Sequence, residues 1–162
     1  MTALERWIEE RLAGRAVALV GVGNRLRGDD GVGSWLAERL GARCRAPVFD
    51  AETVPEDVLG PLLALAPEVV VLVDAADHGG RPGETCVAPA RELAGRCGST
   101  HGMLLLLLAR ALESRGVEAW LVGIQPARTD AGAPVSAAVA AGARAAEDAL
   151  ARLLGAPENA HA

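Results

Sequence analysis

Short runs of consecutive apolar residues, bounded by Gly, Pro or Asp, recur at residues 17–22, 47–49, 69–73 and 119–124. Runs this brief and uninterrupted are what strands buried on both faces leave in a sequence, as in a parallel sheet covered by helices. Between them lie stretches that read as helices, over residues 32–40, 55–65, 103–114 and 134–154. Strand and helix alternate, so the expected fold is α/β with three layers: a twisted, mainly parallel sheet of about five strands with helices on both faces. Residues 84–87, after the turn HGGRPG, read as an additional strand at an edge, in a direction the pattern leaves open. The opening MTALERWIEERLAG reads as an amphipathic helix over residues 2–13. The last helix is Ala-rich, and the tail 155–162 is expected to fray.

The chain has 162 residues, enough for one core and a single domain over 1–162. With one Phe and no Tyr the core must be aliphatic, and it offers no platform on which bases could stack. A net charge of −5 without a broad basic run argues against nucleic acid as a partner. All 16 basic residues are Arg, which removes both a P-loop lysine and a Schiff-base lysine. Cys44, Cys86 and Cys97 are odd in number and lack CxxC spacing, so neither a disulfide framework nor a structural zinc site is expected. The N-terminus is charged, unlike a signal peptide, and the apolar run 103–108 is too short for a bilayer. A cytoplasmic protein without membrane insertion is expected.

Ligands of open α/β sheets gather beyond the carboxyl ends of the strands, which directs attention to residues 23–31, 50–55, 74–80 and 125–130. The first contains a glycine loop, GVGNRLRGDDGVG, that fails the dinucleotide pattern at Leu26 and lacks the G-K-[ST] of a phosphate loop. Asp29 and Asp30 would repel a phosphate at the following helix start; carboxylates suit that position. Each acidic residue also has a plain structural reading: Asp29 or Asp30 as the cap of that helix, and Asp74 as a turn former at a strand end. Asp77 and His78 could simply face solvent. His101 stands near the start of the helix over 103–114, with Ser99 or Thr100 as caps. A surface position is expected there, and the helix start favours a neutral, coordinating imidazole. Together Asp30, Asp74 and His101 would offer two oxygens and one nitrogen to a divalent metal with open positions, zinc and nickel both fitting.

The stretches VGVGNRLRGDDGVG, VVLVDAADHGGRPGE, STHGMLLLL and LVGIQP follow one another over residues 16–154 in a pattern that resembles the hydrogenase maturation endopeptidases. These remove a C-terminal extension from the large-subunit precursor of NiFe hydrogenases, and GIQP is most like their formate-hydrogenlyase type. The resemblance implies a peptidase of aspartic type in which Asp30, Asp74 and His101 recognise metal. It implies no permanently held cofactor: nickel arrives already inserted in the precursor, its other ligands being substrate thiolates. Gly21, Gly23 and Gly31 are then expected to make room for substrate beside two carboxylates. Two routes to bond breaking stay open, with Asp30 or Asp74 as general base for water, or the substrate's nickel as Lewis acid. A serine triad is not expected, since GVGSW around Ser34 lacks the G-x-S-x-G pattern. His78 replaces a bulky or apolar residue usual in the family and is a candidate fourth ligand; the helix ahead of Val17 is additional. The rival readings are a non-catalytic nickel-binding chaperone and a nucleotide-binding Rossmann-like protein.

Overall fold

The computed structural model describes residues 1–97 and 99–155, with Ser99 and Thr100 described through their backbone alone. One sheet contains β1 (Val17–Val22), β2 (Val48–Glu52), β3 (Val69–Ala75), β4 (Thr85–Pro89) and β5 (Glu118–Ile124), in the spatial order β2-β1-β3-β5-β4. Strands β2, β1, β3 and β5 are parallel, and β4 runs antiparallel along β5, which answers the open question of the edge strand's direction. The helices are α1 (Ala3–Leu12), α2 (Val32–Gly41), α3 (Leu59–Leu65), α4 (Ala90–Leu93), α5 (Ser99–Glu113) and α6 (Ala137–Leu154).

Successive side chains of a strand point to opposite faces, and the central strands feed two cores in this way. Val17 and Leu19 of β1, with Val69, Val71 and Val73 of β3, pack against α1, α2 and α6. Ala18, Val20 and Val22, with Val70 and Leu72, pack against α3, α4 and α5. Both faces being buried is why these strands read as unbroken apolar runs. The outer strand β2 departs from that rule. It covers Val48–Glu52 instead of the expected 47–49, because Asp50 and Glu52 at the edge keep contact with water.

Other boundaries differ for local reasons. Pro55 opens a 3-10 turn, Pro55–Val58, so the helix expected over 55–65 begins only at Leu59. Helix α5 starts at Ser99, ahead of the expected 103, which moves His101 inside it. The short α4 after Pro89 had no periodic signature of its own. Gly155 forms an isolated bridge with Cys44, so the expected fraying does not include it; the rest of the tail, and the capping side chains of Ser99 and Thr100, lie outside the described residues. Helix α1 begins with a capping box between Thr2 and Glu5 and buries Leu4, Ile8 and Leu12, while Trp7 meets Trp120 of β5 at 5.4 Å between ring centroids. The helix ahead of Val17 is therefore part of one core. Among the described residues no helix is long and apolar enough to cross a membrane.

Strands β1 and β3 are neighbours, Gly21 standing opposite Val73, yet the chain leaves β1 through α2 on one face and enters β3 from α3 on the other. The crevice where such connections part is the place a ligand enters an open sheet. Helix α2 is drawn tightly onto this point. A Cβ on Gly33 would collide with the carbonyls of Val22 and Val73, and one on Gly21 with the carbonyl of Gly33 and with Ala37. The close approach hangs the acidic turn before α2 over the end of β3.

Candidate active site

Three elements converge at the crevice. The 3-10 turn Gly28–Gly31 carries Asp30, the end of β3 carries Asp74, and the first turn of α5 carries His101. One ligand atom from each lies within 4.8 Å of the other two. His101 Nδ1 is 3.2 Å from Asp74 Oδ2, and His101 Nε2 is 3.8 Å from Asp30 Oδ2. Asp74 is fully buried, its Oδ1 accepting the backbone N–H of Ala75 at 2.7 Å, whereas 13% of the Asp30 side chain remains exposed. The three residues singled out from the sequence are thus brought together.

His101 is not the surface residue expected from its helix-start position, being only 3% exposed. Its basicity also differs from the expectation of a dipole-depressed imidazole. The hydrogen bond with Asp74 raises its pKa, outweighing the burial that opposes the charge. Burial in turn pushes Asp74 up to about 7, against the lowering effect of His101, and Asp30 adds to the rise. Both shifts retain a proton on the Asp74–His101 pair near neutrality, and the two groups titrate as a coupled pair. The cluster favours positive charge at its centre, and an entering cation would release that proton. With Nδ1 directed at Asp74, Nε2 faces Asp30 and is the nitrogen available to a metal. An ion with bonds of ~2.1 Å spans ~4.2 Å between opposite ligands, so the trio is of a width to contribute part of a coordination sphere.

The glycine loop does different work from that expected. A Cβ on Gly23 would lie 2.6 Å from the carbonyl of Asp30, and one on Gly31 2.7 Å from Arg25 Cα. Gly21, Gly23 and Gly31 therefore make room for the protein's own backbone, not for substrate or a phosphate. Nor do both carboxylates of this loop face the site: Asp30 does and Asp29 does not. Neither Asp29 nor Asp30 caps α2, which follows Gly31 without a side-chain cap. Asp29 is fully buried and turned toward the segment between β5 and α6, accepting the backbone N–H groups of Ala127, Arg128 and Ser136 and the Ser136 hydroxyl. Burial opposes its ionisation, but these donors outweigh it and hold its pKa below the usual carboxylate value.

Gln125 makes the matching tie on the other side. Its Oε1 accepts the N–H groups of His78 and Gly80, and its Nε2 donates to Asp77 Oδ1. His78 is not a fourth ligand: its Nε2 lies 3.0 Å from the carbonyl of Glu84, inside the turn that leads to β4. Asp29 and Gln125 together lock three loops around the trio. Sequence reasoning missed both roles, because a carboxylate or amide that satisfies backbone donors has no spacing signature.

The trio opens into a cleft of about 780 Å³ lined by Asn24, Arg27, Thr53, Asp77, Arg96 and Cys97, among others. Burial pushes the Cys97 thiol up, and nearby Asp74 and Asp30 push it further, so it stays protonated and is not poised as a nucleophile.

A sequence model of the hydrogenase maturation protease family, HycI, matches residues 32–154, a span that holds Asp74 and His101 and begins just beyond Asp30. The hydrogenase 3 maturation protease of Escherichia coli K12 is 35% identical over 111 residues, 67% of this chain and 71% of that protein. The crystal structure of the NiFe hydrogenase maturation protease HycI from Thermococcus kodakarensis superposes with a TM-score of 0.81 at 30% identity, covering 94% of this chain and 99% of that one. The solution structure of the endopeptidase HycI from Escherichia coli gives 0.74 at 30% identity, covering 85% and 88%. On this sequence match and this fold, the chain belongs to the hydrogenase maturation protease family.

Proposed function

We propose that the chain is an endopeptidase that removes the C-terminal extension of a NiFe-hydrogenase large-subunit precursor after nickel insertion. In this reading Asp30, Asp74 and His101 recognise nickel that the precursor carries, and the chain holds no cofactor of its own. The observation that carries the reading is the clustering of two carboxylates and one imidazole at the sheet's crevice, open to a cleft of about 780 Å³. Carboxylate and imidazole suit a borderline cation, and substrate thiolates would complete its sphere. Nickel is then part of the substrate.

Asp30 is our choice for the water-activating base, which makes the peptidase aspartic in type. Among the described residues its side chain accepts no hydrogen bond of its own, and it lines the cleft, whereas Asp74 is buried behind His101. The water oxygen bonds to the scissile carbonyl carbon as its proton passes to Asp30; the C–N bond then breaks and the proton goes to the leaving amine. Asp74 serves by fixing the imidazole. The test is to incubate the purified protein with nickel-loaded precursor and weigh the products. Loss of the extension supports the peptidase, and a stable complex of unchanged mass would identify a nickel-binding chaperone instead.

A further inference from the structure

Two cations of the cleft have no part in the chemistry above. Arg27 precedes α2 on the face shared with α1 and α6, and Arg96 precedes α5 on the opposite face. Both are exposed and both line the cleft that holds Asp30 and His101. Their backbones are anchored: the Arg27 carbonyl accepts from Asp30 N at 3.1 Å, and the Arg96 carbonyl from Asp77 N at 2.8 Å. Their guanidinium groups form no ion pair among the described residues, although Asp30 and Asp77 line the same cleft and the charge of Arg96 helps to lower the pKa of Asp77. Cations beside a trio that receives a cation raise the cost of its entry. That cost is offset when the same substrate brings anions to the arginines. A guanidinium presents a planar fork of donors that matches a carboxylate.

We infer that Arg27 and Arg96 are specificity residues, one on each side of the trio, that bind carboxylates of the precursor flanking the cleaved bond. The inference rests on the proposed peptidase reading for the identity of the substrate. A segment crossing the sheet end between the two helical layers passes one arginine on either side of the scissile bond. Without the arginines its acidic groups would face the carboxylates of Asp30 and Asp77 in the same cleft.

The experiment compares wild type with Arg27→Gln, Arg96→Gln and the two Lys variants, all checked for unchanged circular dichroism. Calorimetry gives Kd for the nickel-loaded precursor, and mass-scored kinetics give kcat and KM. Each Gln variant is expected to raise Kd and KM about tenfold with kcat unchanged. Lys should recover part of the loss, and added salt should weaken the wild type more than the variants. A precursor whose flanking acidic residues are changed to amides should bind wild type and Gln variants alike. Unaltered Kd in the Gln variants overturns the inference, as does an equal loss on the amide precursor, which would assign the arginines to other groups. A wild type that binds the precursor without cutting it sinks the peptidase reading alone, since the Kd comparison still decides the arginines. No binding at all removes both.

Discussion

His101 Nδ1 lies 3.2 Å from Oδ2 of Asp74, a carboxylate with no exposed surface, so each group is the other's compensation for burial. Removing the imidazole strands a buried carboxylate. His101→Ala should therefore lower stability by about 3 kcal/mol as well as stop processing. Adding Asp74→Asn should relieve part of that loss, giving a coupling energy of about 1 kcal/mol or more in a double-mutant cycle. Urea denaturation of the four proteins checks this, and additive losses would mean the two groups do not compensate each other.

The neighbouring aspartates should behave as opposites. Asp30 lines the cleft and carries no structural hydrogen bond through its side chain among the described residues, so Asp30→Asn should melt with wild type and lose precursor cleavage. In Asp29→Asn an amide replaces an oxygen that accepts backbone N–H groups at 2.7–2.9 Å, setting donor against donor. That change should cost about 2 kcal/mol and loosen the segment between β5 and α6. Thermal melts and hydrogen exchange at Ala127, Arg128 and Ser136 separate the two. A stable but inactive Asp29→Asn would move Asp29 into the chemistry.

The buried strands β1, β3 and β5 were legible because burial on both faces leaves a run of apolar residues, and Asp30, Asp74 and His101 because each lies at the end of an element: ahead of α2, at the end of β3 and at the start of α5. What stayed hidden depends on contacts between distant segments. His101 looked exposed because a helix start says nothing of the β3 carboxylate packed against it. The glycines looked like a substrate cradle because their partners, the carbonyls of Gly33 and Asp30, are defined only once α2 folds back on β1. His78 looked like a ligand because its real partner, the Glu84 carbonyl, belongs to a backbone turn. Arg27 and Arg96 are two arginines among 16 until the fold sets them on one cleft.

Acid should weaken the contribution of another buried carboxylate. Glu147 of α6, 3% exposed in its side chain, receives Arg39 at 2.6 Å and Arg43 at 2.8 Å, fastening α6 to α2 and to the turn that follows it. Burial opposes its charge, but hydrogen bonds from Arg43 and Arg39 outweigh it and hold its pKa below 4.5. A depressed carboxylate stabilises the fold above its unfolded value and loses that contribution as pH falls through the folded value. Glu147→Gln should thus be about 2 kcal/mol less stable than wild type at neutral pH, a loss moderated because the half-exposed arginines regain water. The gap should close below pH 4.5. Denaturation curves at several pH values test this; a gap that widens on acidification would reverse the sign of the linkage.

Cleavage should depend on nickel in the precursor, and the imidazole is where that dependence should be read. His101 supplies the only nitrogen of the trio, with Nε2 3.8 Å from Asp30 Oδ2 and Nδ1 engaged by Asp74. Because His101→Ala also destabilises the fold, His101→Gln is the better probe: it keeps a hydrogen-bonding group near Asp74 while replacing the imidazole nitrogen with a poor ligand. Wild type and His101→Gln are each offered precursor with and without nickel, and products are scored by mass. Wild type should cut only the loaded precursor, and the variant should bind it more weakly and cut it slowly or not at all. Equal cutting of nickel-free precursor by wild type would end the idea that substrate metal is recognised. Normal cutting of the loaded form by a folded His101→Gln would take the histidine out of that recognition and leave the two carboxylates to account for it.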